Sequence, residues 1–422
     1  MASSLTHRQP VAFGERSVLN LTDLGILFGL FLAVLYAMDP FVIYIDKRTV
    51  FKHFHLILIF PFFVLAWFGA RLNTARSAFI PISPICWPLM LLAVWILAGA
   101  MYARFHYKIV ETFLIMGAYM LVTAGTARFI ADHRDPVRLL NAYLGLVVGA
   151  VVIGAFWQAG YLRTWSRFHE MEQLTVPLAV FMFVRAKTTT GRVAAVIAML
   201  GLMLLVIKNT SFLVTGIALA YLWWCFVRPQ LGKKQALGRM LHFYLLAVLG
   251  VLLVAGYAAI KLLKHDALPD GNPKYRLFTY ERTWADFTQS PIWGKSFSGA
   301  GAEQFGLFQV GSSTQILPSH SDLLDILGQG GLIGMSLFVF AVWRIARYVY
   351  ANFRDRRPGF LSNTIEAHFH WLAVSCLAAI PVVAFNPIML QPGKAFLLWM
   401  NLGIVLGIAI RCRVDREAEN KK

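Results

Sequence analysis

Charge is scarce in this chain. Only 14% of its 422 residues are Asp, Glu, Lys or Arg, while 58% are hydrophobic. A soluble domain carries about 25% charged residues, so this composition excludes one of any size. Acids are scarcer than bases, at 21 against 39. The polar segments hold no Asp-x-Asp or other paired acids, so no carboxylate-held divalent metal is expected. No ladder of Asp, Glu or His runs through successive apolar segments, as an ion-coupled transporter would need. The four cysteines, Cys86, Cys225, Cys376 and Cys412, lie in or beside apolar runs without metal-ligand spacing. They read as packing residues, not as a disulfide framework or zinc site. The glycine-rich stretch Gly294–Gly301 lacks the Gly-x-x-x-x-Gly-Lys pattern of a nucleotide loop; it reads as a lid or a plain loop. Internal repeats, low-complexity tracts and linkers are also absent, so residues 1–422 are read as one membrane-embedded domain.

What is present is a series of apolar runs, most of them long enough to cross roughly 30 Å of hydrocarbon. Hydrophobic patterning predicts an all-α polytopic integral membrane protein with about 12 spans. They fall at 18–38, 54–70, 85–102, 109–127, 139–158, 174–184, 193–207, 211–227, 241–260, 320–343, 366–385 and 395–410. The first run, Val18 to Met38, is long and is followed by no small-residue cleavage site, so removal as a signal peptide is not expected. Twelve spans put both termini on one side. The termini and the loops on that side carry 24 of the 39 Lys and Arg. The opposite loops carry 15, six of them in the single long segment 261–319, and long loops count little for orientation. The termini are therefore expected in the cytoplasm and the 261–319 loop outside it. The net charge of +18 is explained by this asymmetry without nucleic acid.

Chemistry gathers on the outer face. Pro318-Ser319-His320-Ser321-Asp322 leads from the long loop into an apolar run that contains Gly331 and Gly334. Ser319 and Asp322 form an S-x-x-D start, which predicts His320 at the first helical position. The positive helix end disfavours imidazolium, and a neutral imidazole is what a general base requires. The alternative is a histidine that only hydrogen-bonds a loop carbonyl. The glycines on the same helix let another backbone come close. Within the loop, Leu277, Tyr280, Trp284 and Phe287 recur at helical spacing, which predicts a short amphipathic helix at the membrane surface that stops near Pro291. Arg276 and Arg282 project from it and suit a phosphate, which an arginine grips with two hydrogen bonds. The alternatives are pairing of Arg282 with Asp286 four residues on, and snorkelling of Arg276. Lys208-Asn209-Thr210-Ser211 forms a tight outer turn whose lysine either faces the same cavity or anchors a helix end.

These residues resemble the O-antigen ligase and Wzy-type O-antigen and exopolysaccharide polymerase superfamily. The family pattern is about twelve spans, an outer loop with Arg-x-x-x-Trp, then Pro-x-x-Gly, then a helix that opens His-(Ser/Asn)-x-x-Leu and continues to Gly-x-x-Gly. Here the units are Arg282-Thr283-Trp284, with shorter spacing, then Pro291-Ile292-Trp293-Gly294, then His320-Ser321-Asp322-Leu323-Leu324 with Gly331 and Gly334. The specific part of the resemblance covers about 282–334. It implies a multi-pass bacterial inner-membrane enzyme acting on the periplasmic face. It implies transfer of a glycan from an undecaprenyl-diphosphate carrier to a hydroxyl acceptor, either lipid A–core or a growing polysaccharide. It assigns acceptor activation to His320 and diphosphate binding to Arg282 and Arg276. Many members carry an arginine in a central outer turn; here that turn has Lys208, which supplies charge without the bidentate fork.

The expected chemistry is a metal-independent inverting transfer with no cofactor. A base serves the incoming hydroxyl, and cations serve the diphosphate leaving group. The alternative is a flippase or transporter of lipid-linked oligosaccharide. That reading predicts charges lining a cavity open to both sides, whereas the polar residues here gather on one face. A structural partner of an envelope complex is a third reading; it predicts tolerance of His320 substitution.

Overall fold

The computed structural model describes residues 79–102, 107–133, 136–160, 172–206, 209–227, 272–295, 309–310, 313–314, 321–356, 359–385 and 392–420, with Leu27. The spans expected at 18–38, 54–70 and 241–260 lie outside the described residues, Leu27 excepted. So do His320, Lys208 and much of the 261–319 loop.

The described chain is helical apart from one pair of two-residue strands. The helices are α1 (Phe79–Tyr102), α2 (Tyr107–Asp132), α3 (Val137–Gly160), α4 (Glu172–Thr175), α5 (Leu178–Arg185) and α6 (Thr189–Val206). They continue with α7 (Asn209–Leu222), extended by a π-helical turn at Trp223–Val227, α8 (Asn272–Gln289), α9 (Asp322–Arg354), α10 (Asn363–Phe385) and α11 (Pro392–Glu419). The strands β1 (Gln309–Val310) and β2 (Ser313–Thr314) pair antiparallel. Five described segments are long and apolar enough to cross a bilayer: Thr112–Ala131, Thr210–Val227, Asp322–Arg354, Asn363–Ala384 and Lys394–Glu419. The chain is an integral membrane protein.

One expected span takes a different form. The run 174–184 is split into α4 and α5 by a turn at Val176 and Pro177, because proline lacks the N–H that would carry the helix through. The eight residues of α5 are about 12 Å long, too short to cross alone. They are packed on α6 and α10.

Lipid gives helices no hydrophobic reason to associate, so close packing and buried polar contacts must hold them. α2 and α11 pack closely. Gly403 and Gly407, four apart, press on α2, where an added Cβ would lie 2.8 Å from Thr123 O and 2.5 Å from Ala127 O. The contact is reinforced by the Thr123 hydroxyl, which donates to Trp399 O at 3.0 Å. Nearby, the Tyr143 hydroxyl and Asn401 Oδ1 are 2.8 Å apart, and Trp371 Nε1 donates to Leu174 O at 3.2 Å. A first core joins α1, α2, α3, α9, α10 and α11. A second packs α5, α6 and α7 on α10.

Connectivity fixes which ends lie together. The Tyr221 hydroxyl on α7 meets His370 Nδ1 near the start of α10 at 2.7 Å, so α7 begins at the end of the bundle where α10 finishes. The α9 N-terminus, the α11 N-terminus and the α1 C-terminus share that end. The other end collects arginines. Arg185 Nη1 donates to Thr364 Oγ1 at 3.0 Å, Arg411 Nη1 to His133 O at 2.8 Å, and Arg356 pairs with Glu366.

Candidate functional site

Three glycines build the junction at the start of α9. The helix is interrupted at Gly331, whose φ of 62° is left-handed and suits glycine. The turn that follows α8, Pro291-Ile292-Trp293-Gly294, plugs the interruption. Leu332 N donates to Pro291 O at 2.9 Å and Ile333 N to Ile292 O at 3.4 Å, so the first orphan donors of the inner half of α9 are satisfied. On the other side of the break, Gly328 O accepts from Lys295 N at 3.0 Å, and Gly330 O accepts from Trp95 Nε1 at 3.0 Å. Gly294 is also left-handed, with φ 74°, and a Cβ on it would strike Gln329 O. A Cβ on Gly331 would strike Ile292 O, and one on Gly328 would lie 2.7 Å from Thr283 Cγ2. The expectation that glycines admit another backbone is met at Gly331 and Gly328. Gly334 makes only ordinary contact, with Trp95.

The helix begins later than the sequence pattern indicated. Ser321, not Ser319, is the N-cap: its backbone is extended and its hydroxyl accepts from Leu324 N at 3.2 Å. Asp322 is then the first helical residue, and His320 stands immediately before the cap instead of in the first turn. Asp322 and Asp325 occupy the first turn, a favourable place for anions.

α8 runs from Asn272 to Gln289 and stops before Pro291, as the spacing predicted. Its polar face turns inward: Thr279, Thr283 and Asp286 are buried, while Trp284 is 53% exposed. The Thr283–Gly328 contact sets α8 against the N-terminal part of α9. Arg276 falls on α8. Arg282 and Asp286 make no ion pair among the described residues, which corrects the pairing that their spacing allowed. Arg282 Nε and Asp286 Oδ2 are instead buried without hydrogen-bond partners. Burial raises the Asp286 carboxyl above its usual range, and the charges of Arg282 and Lys295 partly offset this. Gln329, 4% exposed, likewise has both ends of its carboxamide unbonded.

Sequence reasoning missed several residues here. Gln329 and Asp286 carry no motif, and only the fold brings them to one seam. Beside the Lys208 turn, Thr210 donates to Glu172 Oε1 at 2.5 Å, and Glu172 is fully buried. The acid lies 38 residues earlier in the chain, so spacing gave no signal for it. Lys394, at the start of α11, is a further buried cation at this end of the bundle. Aromatic rings frame the plug: Trp293 stacks on Trp95 at 5.5 Å, and the Tyr102 hydroxyl donates to Trp293 O at 2.9 Å.

An apolar cavity of about 1120 Å³ runs along α9 and α10. It reaches from Leu323, one residue inside the α9 start, to Arg354 at its far end, with Phe338, Ile380 and Trp399 along its walls.

The fold and this junction define a class: a polytopic membrane protein with one long helix broken at Gly331 and plugged by the turn that follows α8. Residues 178–339 match the model of the O-antigen ligase family, Wzy_C, which bears out the resemblance read from the motifs. The match begins at α5, ends within α9, and spans Lys208, Arg276, Arg282 and His320. No curated protein matches the chain. The family supports glycan transfer in surface-polysaccharide assembly, by a ligase- or polymerase-like activity.

Proposed function

We propose that the protein transfers a glycan from a polyprenyl-diphosphate carrier to a hydroxyl acceptor on the outer face of the bacterial inner membrane. The observation that carries this reading is the O-antigen ligase match over 178–339, which encloses the α8–α9 junction and every candidate site residue. His320 takes the proton of the acceptor hydroxyl as its oxygen attacks the anomeric carbon. The bond from that carbon to the diphosphate oxygen breaks, and the diphosphate leaves with the electron pair. A single displacement inverts the anomeric centre. Arg282, with Arg276 and Lys208, meets the negative charge on the leaving group, where preorganised donors act most strongly. Arg282 suits this role because its buried Nε lacks a protein partner. The apolar cavity that starts at Leu323 suits the isoprenoid tail of the donor, which enters from lipid between the helices. The long outer loop covers the sugars.

Two experiments test the reading. Deleting the gene and analysing the cell's glycans separates its two forms. Loss of polymer with export of single repeat units means polymerase; polymer retained on its lipid carrier means ligase; unchanged glycans would sink both. A topology reporter inserted near Gly299 should read periplasmic, and one fused at Arg356 cytoplasmic. A cytoplasmic signal at Gly299 would remove the outer face on which the mechanism depends.

A further inference from the structure

Asp286 Oδ2 and the Gln329 carboxamide make none of the hydrogen bonds that hold the α8–α9 seam together. α8 is fixed to α9 by the Thr283–Gly328 contact, by Lys295 N to Gly328 O, and by Pro291 O and Ile292 O at the inner half of the helix. Asp286 lies between the Thr283 contact and the Pro291 contact along α8. Gln329 follows Gly328 on α9. Asp286 is 7% exposed and Gln329 is 4% exposed. Asp286 Oδ2 and both carboxamide ends of Gln329 have no hydrogen bond. A buried polar group left unbonded is costly, and folded proteins rarely retain one without a reason. Two such side chains, one on each of the helices that meet at this seam and with Arg282 Nε on α8 in the same condition, are groups awaiting a ligand.

Their chemistry narrows the ligand. A carboxylate only accepts hydrogen bonds, while a carboxamide both donates and accepts. Together they match a hydroxyl-rich molecule, whose O–H groups do both. In the adjoining turn Trp293, stacked on Trp95 and still 52% exposed, presents an aromatic face that suits the apolar face of a sugar ring. A diphosphate would be repelled by Asp286, so this is not the phosphate end of the site.

We infer that Asp286 and Gln329 form a sugar subsite that hydrogen-bonds hydroxyls of the donor glycan next to the diphosphate, and so help set which glycan is accepted. This rests on the glycan-transfer reading of the site. The two residues are positioning residues, distinct from the proton transfer given to His320. A site built around a hydroxyl discriminates strongly against a ligand that lacks it, because its own polar groups are then left unpaired.

The test compares two probes on the purified full-length protein. One is the lipid-linked oligosaccharide fraction extracted from a strain lacking the gene; the other is undecaprenyl diphosphate bearing no sugar. Wild type should bind the glycan-bearing lipid more tightly. Asp286→Asn and Gln329→Met should each weaken that binding about tenfold and leave the bare diphosphate lipid within about twofold, as expected for one lost hydrogen bond. Variants that keep the wild-type preference would overturn the subsite. So would variants that lose both lipids equally with a lowered melting temperature, which marks a structural role. If one variant fails to fold, the other decides. A wild type that binds neither lipid would sink the glycan-transfer reading itself, an outcome separate from the loss of preference alone.

Discussion

The two ends of the bundle treat their polar groups differently. At the end where α9 finishes, several arginines are matched with acids. Arg354 pairs with Asp355 at 2.8 Å, Arg413 with Glu417 at 2.6 Å, Arg416 with Asp355 at 3.6 Å, and Arg356 with Glu366. Arg344 lies over the Trp87 ring and Arg347 over that of Trp343. At the end where α9 begins, Arg282 makes no ion pair among the described residues, and Asp286 and Gln329 have buried atoms without hydrogen bonds. Both ends need polar residues to meet headgroups and water. Both ends also hold buried polar atoms without a hydrogen bond, Arg192 Nε and the Tyr348 hydroxyl at the first; at the second, those of Arg282, Asp286 and Gln329 lie on the two helices that meet at the Gly331 break. In the proposed mechanism the arginine-rich end serves orientation and packing, and the other end carries the chemistry.

The sharpest way to break this contrast is at His320. His320→Ala should lower glycan transfer on the order of 10²–10⁴-fold while the protein still inserts and still binds donor lipid. A purified assay with lipid-linked donor and acceptor decides it; near-normal turnover per folded molecule would take His320 out of the mechanism. The second comparison sets one arginine from each end side by side. Arg282→Ala should reduce transfer about 10- to 100-fold with the melting temperature preserved, and Arg282→Lys should recover only part, because the planar fork is lost. Arg356→Ala should do the reverse: it leaves the half-buried Glu366 with only His370 at 3.8 Å, lowers thermal stability and spares activity per folded molecule. Two arginines with the same phenotype would erase the distinction between the ends. Third, Gly331→Ala places a Cβ against Ile292 O at a left-handed φ, so the plug must shift. A loss of about 1–3 kcal/mol of stability is expected, with activity falling further than Arg356→Ala causes. Gly334→Ala, where the space is ordinary, serves as the control.

Much of the architecture was legible in the residues. Eight of the expected spans coincide with described helices, α1, α2, α3, α6, α7, α9, α10 and α11, since each is a continuous apolar run. The amphipathic helix before Pro291 was visible for the same reason. Its orientation was not: periodicity locates an apolar stripe but does not say which face meets protein, and here the Thr279–Thr283–Asp286 face does. The start of α9 was misplaced by two residues because two serines flank His320 and either satisfies the local pattern. The hydrogen bond to Leu324 N selects Ser321. Glu172, Gln329 and Lys394 carry no local signature at all; their meaning comes from long-range contacts that spacing cannot encode. The plug at Gly331 stood in the sequence only as a proline-to-glycine turn and a glycine-rich helix, with nothing to say that one fills the other.

The smallest expected effect is also the most diagnostic for the outer end. Burial raises the Asp286 carboxyl, with Arg282 and Lys295 opposing but not cancelling the shift. The folded state therefore holds a proton there that the unfolded chain has already released. By linkage this contribution to stability is present below the ordinary carboxylate value of about 3.9 and is lost as pH rises through the raised value. Wild type should accordingly lose stability across that window. Asp286→Asn removes the buried charge, so it should flatten this dependence and melt higher at neutral pH, by an amount on the order of a degree or two. The same variant is expected to transfer glycan more slowly, since an amide nitrogen or oxygen in place of the carboxylate presents the wrong hydrogen-bonding pattern to a hydroxyl. A substitution that stabilises and disables together separates a residue kept for its ligand from one kept for the fold. Thermal melts of both proteins across the pH series, paired with turnover per folded molecule, measure the two effects at once. An Asp286→Asn protein that melts lower than wild type at neutral pH would instead place Asp286 among the structural contacts, alongside the matched charges at the opposite end.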